Sequence, residues 1–148
     1  MTRSLPSLLS LGLLLAGCTG TRPMNLGVHD GKLAPCPASP NCVSSQSKDR
    51  DHSIEPLRYT GSPGEAMDRL KKIIIGMERS RIITETGSYI HAEFTSALFR
   101  FVDDVEFFLD ERAAVIQVRS SSRIGYSDLG VNRKRIEDIR AAINPGAS

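Results

Sequence analysis

The chain has 148 residues, with 19 Lys and Arg against 17 Asp and Glu and a formal charge of +2 at pH 7. That near-balance argues against a nucleic-acid binder acting through bulk charge. The length suits one domain with its own core, and no internal repeat points to a solenoid.

The chain opens MTRSLPSLLSLGLLLAGC. A short leading region carries Arg3, an apolar stretch runs from Leu5 to Leu15, and small residues follow, which is the layout of an export signal. The stretch is shorter than the roughly 20 apolar residues of a membrane span, and Pro6 would interrupt a helix there. Leu15-Ala16-Gly17-Cys18 resembles the lipobox of bacterial lipoproteins. The resemblance implies residues 1–17 as a cleaved signal peptide, a diacylglyceryl group on Cys18 and acylation of the new amino terminus. Such chains would hold the protein stably on the cell membrane or the outer membrane, facing the periplasm or outside. Thr19, a residue other than Asp after the cysteine, suggests the outer membrane in enteric bacteria.

Residues 18–33 lack any hydrophobic period and contain Gly and Pro, so they are expected to form a flexible tether. Cys36 and Cys42 follow among Pro35, Pro37 and Pro40. With Cys18 taken by lipid, an exported chain holds an even pair, which reads first as a disulfide. Free thiols come second. A metal comes last, because no further soft or imidazole ligands stand nearby at finger-like spacing.

Residues 52–59 can form a short strand, moved toward a sheet edge by Pro56. Ser62-Pro63-Gly64-Glu65 is a helix start, with Ser62 as cap, Pro63 at the first helical position and Glu65 closing a capping box. Ala66, Leu70, Ile73, Ile74 and Met77 then form one apolar stripe, and the helix should end near Arg79. Four strands are expected next, over residues 81–86, 89–95, 99–110 and 114–122. A two-residue turn at Ser96-Ala97 would pair Phe94 with Phe99, Ala92 with Phe101 and Glu93 with Arg100. Another at Glu111-Arg112 would pair Leu109 with Ala114, Phe107 with Ile116, Val105 with Val118 and Asp104 with Arg119. Both turns give the same division into an apolar and a polar face. The five phenylalanines, Phe94, Phe99, Phe101, Phe107 and Phe108, cluster in one region of the chain and are expected to mark the centre of the core. A last helix runs from about Gly130 to Ile143, with Ile136, Ile139 and Ile143 on one face, and Asn144-Pro145-Gly146 stops it. The expected fold is therefore α+β, an antiparallel sheet of four to five strands with two helices on one face, in the order β-α-β4-α. That order resembles the TATA-binding-protein-like or helix-grip class. The domain should span residues 34–144, with residues 145–148 as a tail.

The polar face would carry Tyr89, His91, Glu93, Arg100, Asp104, Glu106, Gln117, Arg119 and Arg123. It is expected first to be a solvated surface laced with cross-strand ion pairs. A platform for a polar ligand comes second, and a metal a distant third because Arg100 and Arg119 stand among the carboxylates. Asp103 breaks the apolar face of its strand. It requires either a bulge that turns it outward or satisfaction by Ser120 and a nearby arginine. The last helix begins beside Arg133, Lys134 and Arg135, where cations oppose the helix dipole. Compensation could come from Asp128 or Glu137, or from an anion held by backbone N–H groups with Arg123 and Arg133. No nucleophile, base and oxyanion set can be assembled from His29, His52, His91 and the serines, so no catalytic residue is assigned.

CPASPNCVSSQ, YIHAEFTSALFRFVDDVEFFLD and RSSSRIGYSDLGVNRKRIE, in this order, resemble the bacterial and plastid family named domain of unknown function 1499. The resemblance covers about residues 33–143. It implies a small exported or membrane-associated domain, frequently lipid-anchored in bacteria, and carries no established activity. It implies Cys36, Cys42, Asp103, Asp104, Arg119, Ser120, Arg123, Asp128, Asn132 and Arg133 as the family's marked positions.

Together these readings give a lipid-anchored envelope protein with no cofactor, no metal and no nucleic-acid partner, and with a membrane reached through Cys18. Its expected role is binding or scaffolding of an anionic ligand or envelope protein through Arg119, Ser120, Arg123, Asn132 and Arg133, with Asp103, Asp104 and Asp128 as candidate functional acids. The alternative is an envelope hydrolase or other enzyme using Asp103, Asp104 and Arg119.

Overall fold

The computed structural model describes residues 19–144; the expected signal peptide, the lipidation site at Cys18 and the tail at 145–148 lie outside the described residues. In chain order the elements are β1 (Cys42–Ser44), β2 (Leu57–Arg58), α1 (Pro63–Gly76), β3 (Ser80–Glu85), β4 (Tyr89–Thr95), β5 (Val102–Asp110), β6 (Val115–Ser122) and α2 (Val131–Ile143). The fold is α+β. One antiparallel sheet has the order β1-β6-β5-β4-β3, and β2 also pairs with β6. β1 lies along Arg119–Ser121 and β2 along Val115–Ile116. Two short strands in tandem therefore cover one edge, and the sheet has six strands where four to five were expected. β1 has no sequence signal of its own, because its three residues are too few to show a period. Among the described residues no helix is long and apolar enough to cross a membrane.

α1 forms where its signals place it. Ser62 Oγ accepts from the Glu65 N–H while Glu65 Oε2 accepts from the Ser62 N–H at 2.9 Å, a complete capping box. Ala66, Met67, Leu70 and Ile74 of α1 and Ile136, Ile139 and Ile143 of α2 are buried against one face of the sheet. That face supplies Ile90, Ala92 and Phe94 from β4, Val105, Phe107 and Leu109 from β5, and Ile116 and Val118 from β6. Full burial of each large aliphatic or aromatic side chain contributes roughly 1.5–3 kcal/mol. Cys36 and Cys42 form a disulfide, with Cα atoms 5.6 Å apart. His52 ties this loop to the next turn, its ring nitrogens 2.9 Å from Asp49 Oδ2 and 3.1 Å from the Ser39 carbonyl.

The division of faces is as expected, but both registers differ. Leu109 pairs with Ile116, Phe107 with Val118, Val105 with Ser120 and Asp104 with Ser121, a shift of two residues on β6. A two-residue hairpin turn favours φ > 0 at both central residues, which Glu111 and Arg112 resist. The chain instead uses a four-residue turn, Glu111–Ala114, and only Ala114 adopts the left-handed conformation, at φ 51°. On the other side Phe94 pairs with Asp103 and Ala92 with Val105, a shift of four. Residues 96–101 form a loop closed by the Ser96 N–H donating to the Phe101 carbonyl and the Phe101 N–H donating to Ser96 Oγ. Phe99 and Phe101 thus leave the core and are 65% and 38% exposed, whereas Phe107 is 0% exposed.

These registers make Phe107 and Phe99 energetically unlike. Phe107→Ala is expected to cost about 3–5 kcal/mol, and Phe99→Ala no more than about 0.5 kcal/mol, as an exposed substitution. Urea unfolding of both variants checks this; equal losses would restore the shorter-turn register.

Candidate functional site

Strand alternation sets Tyr89, His91 and Glu93 of β4, Asp104 and Glu106 of β5, and Arg119 of β6 on the face away from the helices. A solvated face was expected. Instead His91, Glu93, Asp104, Glu106 and Arg119 are all buried. The cover is the segment expected to be a flexible tether. Arg22 donates to Glu93, the Gly27 N–H donates to Glu106 Oε1 at 2.7 Å, and Leu33 is buried with its N–H on Gln46 Oε1. Gly20, at φ 69°, sits so close to β6 that a Cβ would lie 2.8 Å from Arg123 Cβ and Ile124 Cγ2. Residues 19–33 are a strap, because polar groups on the sheet supply its backbone and Arg22 with partners.

Under the strap, like charges face each other. Glu93 lies directly opposite Asp104 across β4 and β5. Arg123 resolves this conflict: Nε and Nη2 donate to the two Asp104 oxygens at 2.8 Å, and Nη2 also donates to Glu93 Oε1. Arg81 reaches Glu93 Oε2 at 3.0 Å, so Glu93 receives three arginines. Burial pushes the Glu93 carboxyl up, but the bonds from Arg22, Arg123 and Arg81 outweigh it and hold the pKa at about 2. Asp104 follows the same pattern: burial raises it, while Arg123 and His91, whose Nε2 is 2.8 Å from Asp104 Oδ1, bring it below the usual carboxylate range. The Asp104 hydrogen bonds raise Arg123. Tyr89 donates to Glu106 Oε1 at 2.8 Å, and burial followed by the Glu106 charge holds its phenol in the neutral form. Arg119 donates to Glu106 Oε2 at 3.3 Å, and its buried Nε has no partner among the described residues.

A second polar network lies on the helix face. Asp103 pairs with Arg135, which donates to Asp103 Oδ2 at 2.6 Å and stacks 4.7 Å from the Phe94 ring centre. β5 keeps a continuous register through Asp103, so an arginine rather than a bulge accommodates it. Arg135 also reaches Ser120 Oγ and Asn132 Oδ1. Buried Asn132 donates to the Asn41 carbonyl and Ser122 Oγ and accepts from Ser120.

The residues expected to bind or react are therefore dispersed. Asp103 and Asp104, adjacent on one strand, point to opposite faces, and Arg119, on the Asp104 side, is buried against Glu106. Ser120 and Asn132 are consumed in the network under α2. Arg133 donates to the Ser53 and Asp51 carbonyls. Asp128 compensates the cationic start of α2, accepting from the Gly130 and Asn132 N–H groups at 3.0 and 2.7 Å. Among the described residues no three His, Cys, Asp or Glu converge as metal ligands.

Of the expected binding residues, Arg123 lines a surface cleft. This cleft, about 490 Å³, is bordered by Thr19, Arg22, Arg79, Ser80, Arg81, Glu93, Thr95, Arg100, Val102 and Arg123. Five arginines and one carboxylate line it, and two of the arginines have carboxylate partners outside the lining, Arg79 with Glu78 and Arg123 with Asp104. Arg22, Arg79 and Arg81 have side chains 46%, 44% and 71% exposed, and exposed Arg100 sits in the 96–101 loop at φ 58°. Of the four besides Arg123, only Arg100 was expected on the polar face weighed as a ligand platform. Arg22 lay in the supposed tether, Arg100 was assigned to a strand, and Arg79 and Arg81 straddle the entry to β3. Arg79 precedes β3 at φ 56°, so no strand period links it to Arg81. A second cleft of about 580 Å³ lies beside the disulfide loop, but its His52 is engaged in holding that loop.

The family model described as protein of unknown function (DUF1499) matches residues 32–143. No curated protein matches the chain.

Two pH effects follow from the geometry. The folded Glu93 carboxyl lies below its ordinary 4.5, so its contribution is present above pH 4.5 and is lost as pH falls toward about 2. Glu93→Gln should cost on the order of 3 kcal/mol near neutrality, because it leaves buried Arg123 short of a partner, and that gap should close as pH falls through this window in denaturant titrations. His52 shows the opposite sign. The Ser39 carbonyl, then Asp49, raise its pKa above 6.5. Its contribution is complete below pH 6.5 and is lost as pH rises through the raised value. His52→Gln should therefore destabilise more at about pH 6 than at about pH 9, and a pH-independent loss would show that the imidazole is not charged in the fold.

Proposed function

The chain belongs to the DUF1499 family, and we propose that it is a lipid-anchored envelope protein, acylated at Cys18, that binds an anionic ligand or the anionic groups of an envelope partner in the arginine cleft. The supporting observation is the cleft's lining, five arginines and one carboxylate, in which Arg79 also pairs with Glu78 and Arg123 with Asp104 while Arg81 and Arg22 have Glu93 alone and Arg100 is exposed in its loop. Glu93 does not neutralise the cleft; it spreads Arg22, Arg81 and Arg123 around its two oxygens and so sets their guanidinium groups in a fixed array. Preorganised, exposed guanidinium groups suit phosphate or carboxylate ligands through paired N–H donors. Residues 1–17 would be the signal peptide, and the anchored domain would face the periplasm or outside from the cell membrane or outer membrane. The order of two short edge strands, a helix, four strands and a helix supports a likeness to the TATA-binding-protein-like or helix-grip class, a likeness that carries no activity.

Tripolyphosphate is a suitable probe, since it presents several negative oxygens and no apolar part. Calorimetric titration of the purified protein should show binding that weakens as salt is raised. An Arg81→Gln, Arg100→Gln variant should lose roughly tenfold or more, each charged hydrogen bond contributing about 1.5–3 kcal/mol. Unaltered affinity in that variant would remove the cleft as the site.

A further inference from the structure

The loop joining β4 to β5 exposes large apolar side chains beside this cleft. Leu98 is 79% exposed and Phe99 65%, and the Phe99 and Phe101 rings stack with centres 5.4 Å apart. A loop of this kind is ordinarily polar, and a contiguous exposed apolar patch marks an interaction surface. Arg100 projects from the same loop and lines the cleft with Arg79 and Arg81. Aromatic and aliphatic groups beside a group of arginines are the composition of an interfacial membrane contact, in which apolar residues enter the headgroup–acyl boundary and arginines meet lipid phosphates.

A second observation fixes the orientation. Thr19 borders the cleft. The cysteine expected to carry the lipid is the preceding residue, so its Cα would stand one peptide, about 3.8 Å, from that of Thr19. Anchor, arginines and apolar loop then occupy one end of the molecule.

We propose that this end, formed by Leu98, Phe99 and Phe101 with Arg79, Arg81 and Arg100, docks on the anionic phospholipid surface that holds the Cys18 anchor. The proposal rests on the cleft being an anion site and assigns that site to lipid phosphate. The anchor supplies a high local concentration of bilayer, so docking changes the protein's attitude on the membrane rather than its attachment to it. The strap runs from the anchor directly onto the sheet, with Arg22 held by Glu93, leaving little slack between the bilayer and the cleft.

The chain contains no Trp, so Phe99→Trp introduces a single fluorescent reporter at an exposed position. The lipidated protein carrying this substitution is reconstituted into vesicles of phosphatidylcholine, with or without phosphatidylglycerol. With phosphatidylglycerol, emission of the introduced indole should shift to the blue and be quenched by brominated acyl chains. Adding Arg81→Gln or Arg100→Gln should lower the ratio of docked to undocked protein about fivefold per arginine. Soluble glycerol phosphate should bind the cleft without any blue shift. Emission that stays at the aqueous position and is unquenched in phosphatidylglycerol vesicles overturns the docking; tripolyphosphate binding retained by the same protein then leaves the anion site standing, and its loss removes both. Insertion of the indole that is indifferent to phosphatidylglycerol and to both arginine substitutions also overturns the proposal, since the cleft would play no part. So does a blue shift produced only by an added envelope protein, which would make the loop a protein contact.

Discussion

Glu93 opposite Asp104 is the conflict around which this domain is arranged. Two carboxylates on neighbouring strands repel, and both are buried. Neither can remain ionised in such a place without cations at hydrogen-bond distance. Arg123, leaving the end of β6, is the group that touches both. Its position requires β6 to end beside β5 in the observed register, and the strap to pass close enough for Gly20 to lie against it without a side chain between them. Arg22 then completes Glu93 from the strap. The register of three strands and the course of the amino-terminal segment thus answer one electrostatic requirement.

A buried ion pair adds little net stability compared with well-packed apolar groups, whereas removing one partner is costly. The hydrophobic stabilisation comes from the other side of the sheet, where α1 and α2 cover the apolar rows of β4, β5 and β6. Even there the packing is not wholly apolar. Arg135 reaches over Phe94 to Asp103, and Asn132 stitches the start of α2 to Asn41, Ser120 and Ser122. This network joins α2 to β5, β6 and the residue before β1 by directional bonds, whereas α1 is held by its apolar stripe and its cap. The two faces of one sheet therefore carry two independent arginine-centred networks, separated by the backbone of β5 between Asp103 and Asp104.

The surplus of positive charge appears where these networks end. Glu93 is shared between the buried centre and the surface: Arg123 approaches it from within the fold, Arg22 and Arg81 from the side open to water. The cleft is the exposed continuation of the buried ion network, which keeps its floor rigid and accounts for guanidinium groups gathered beside one another at a surface. The apolar 96–101 loop borders the same cleft, so charge and hydrophobicity meet at the end of the sheet where the strap begins.

Local chemistry was sufficient for much of this. The Ser62 to Glu65 capping box, the apolar stripe of α1, the stop after Ile143 and the period-two rows of β4, β5 and β6 are properties of short windows, and the structure keeps them. Two expected turns were too short, yet the inward apolar residues between Val105 and Val118 stayed inward. The shifts were two and four residues, and an even shift leaves the pleat's faces unchanged. What the sequence could not determine was register, since turn length depends on whether the chain adopts φ > 0 at Arg100 and Ala114, residues that give little warning of it. Nor could a local pattern show that residues 19–33 return to cover the sheet, or that arginines at 22, 79, 81, 100 and 123 assemble at one place. Those are contacts between distant parts of the chain, selected by the tertiary need to neutralise buried carboxylates, and they leave no period to read.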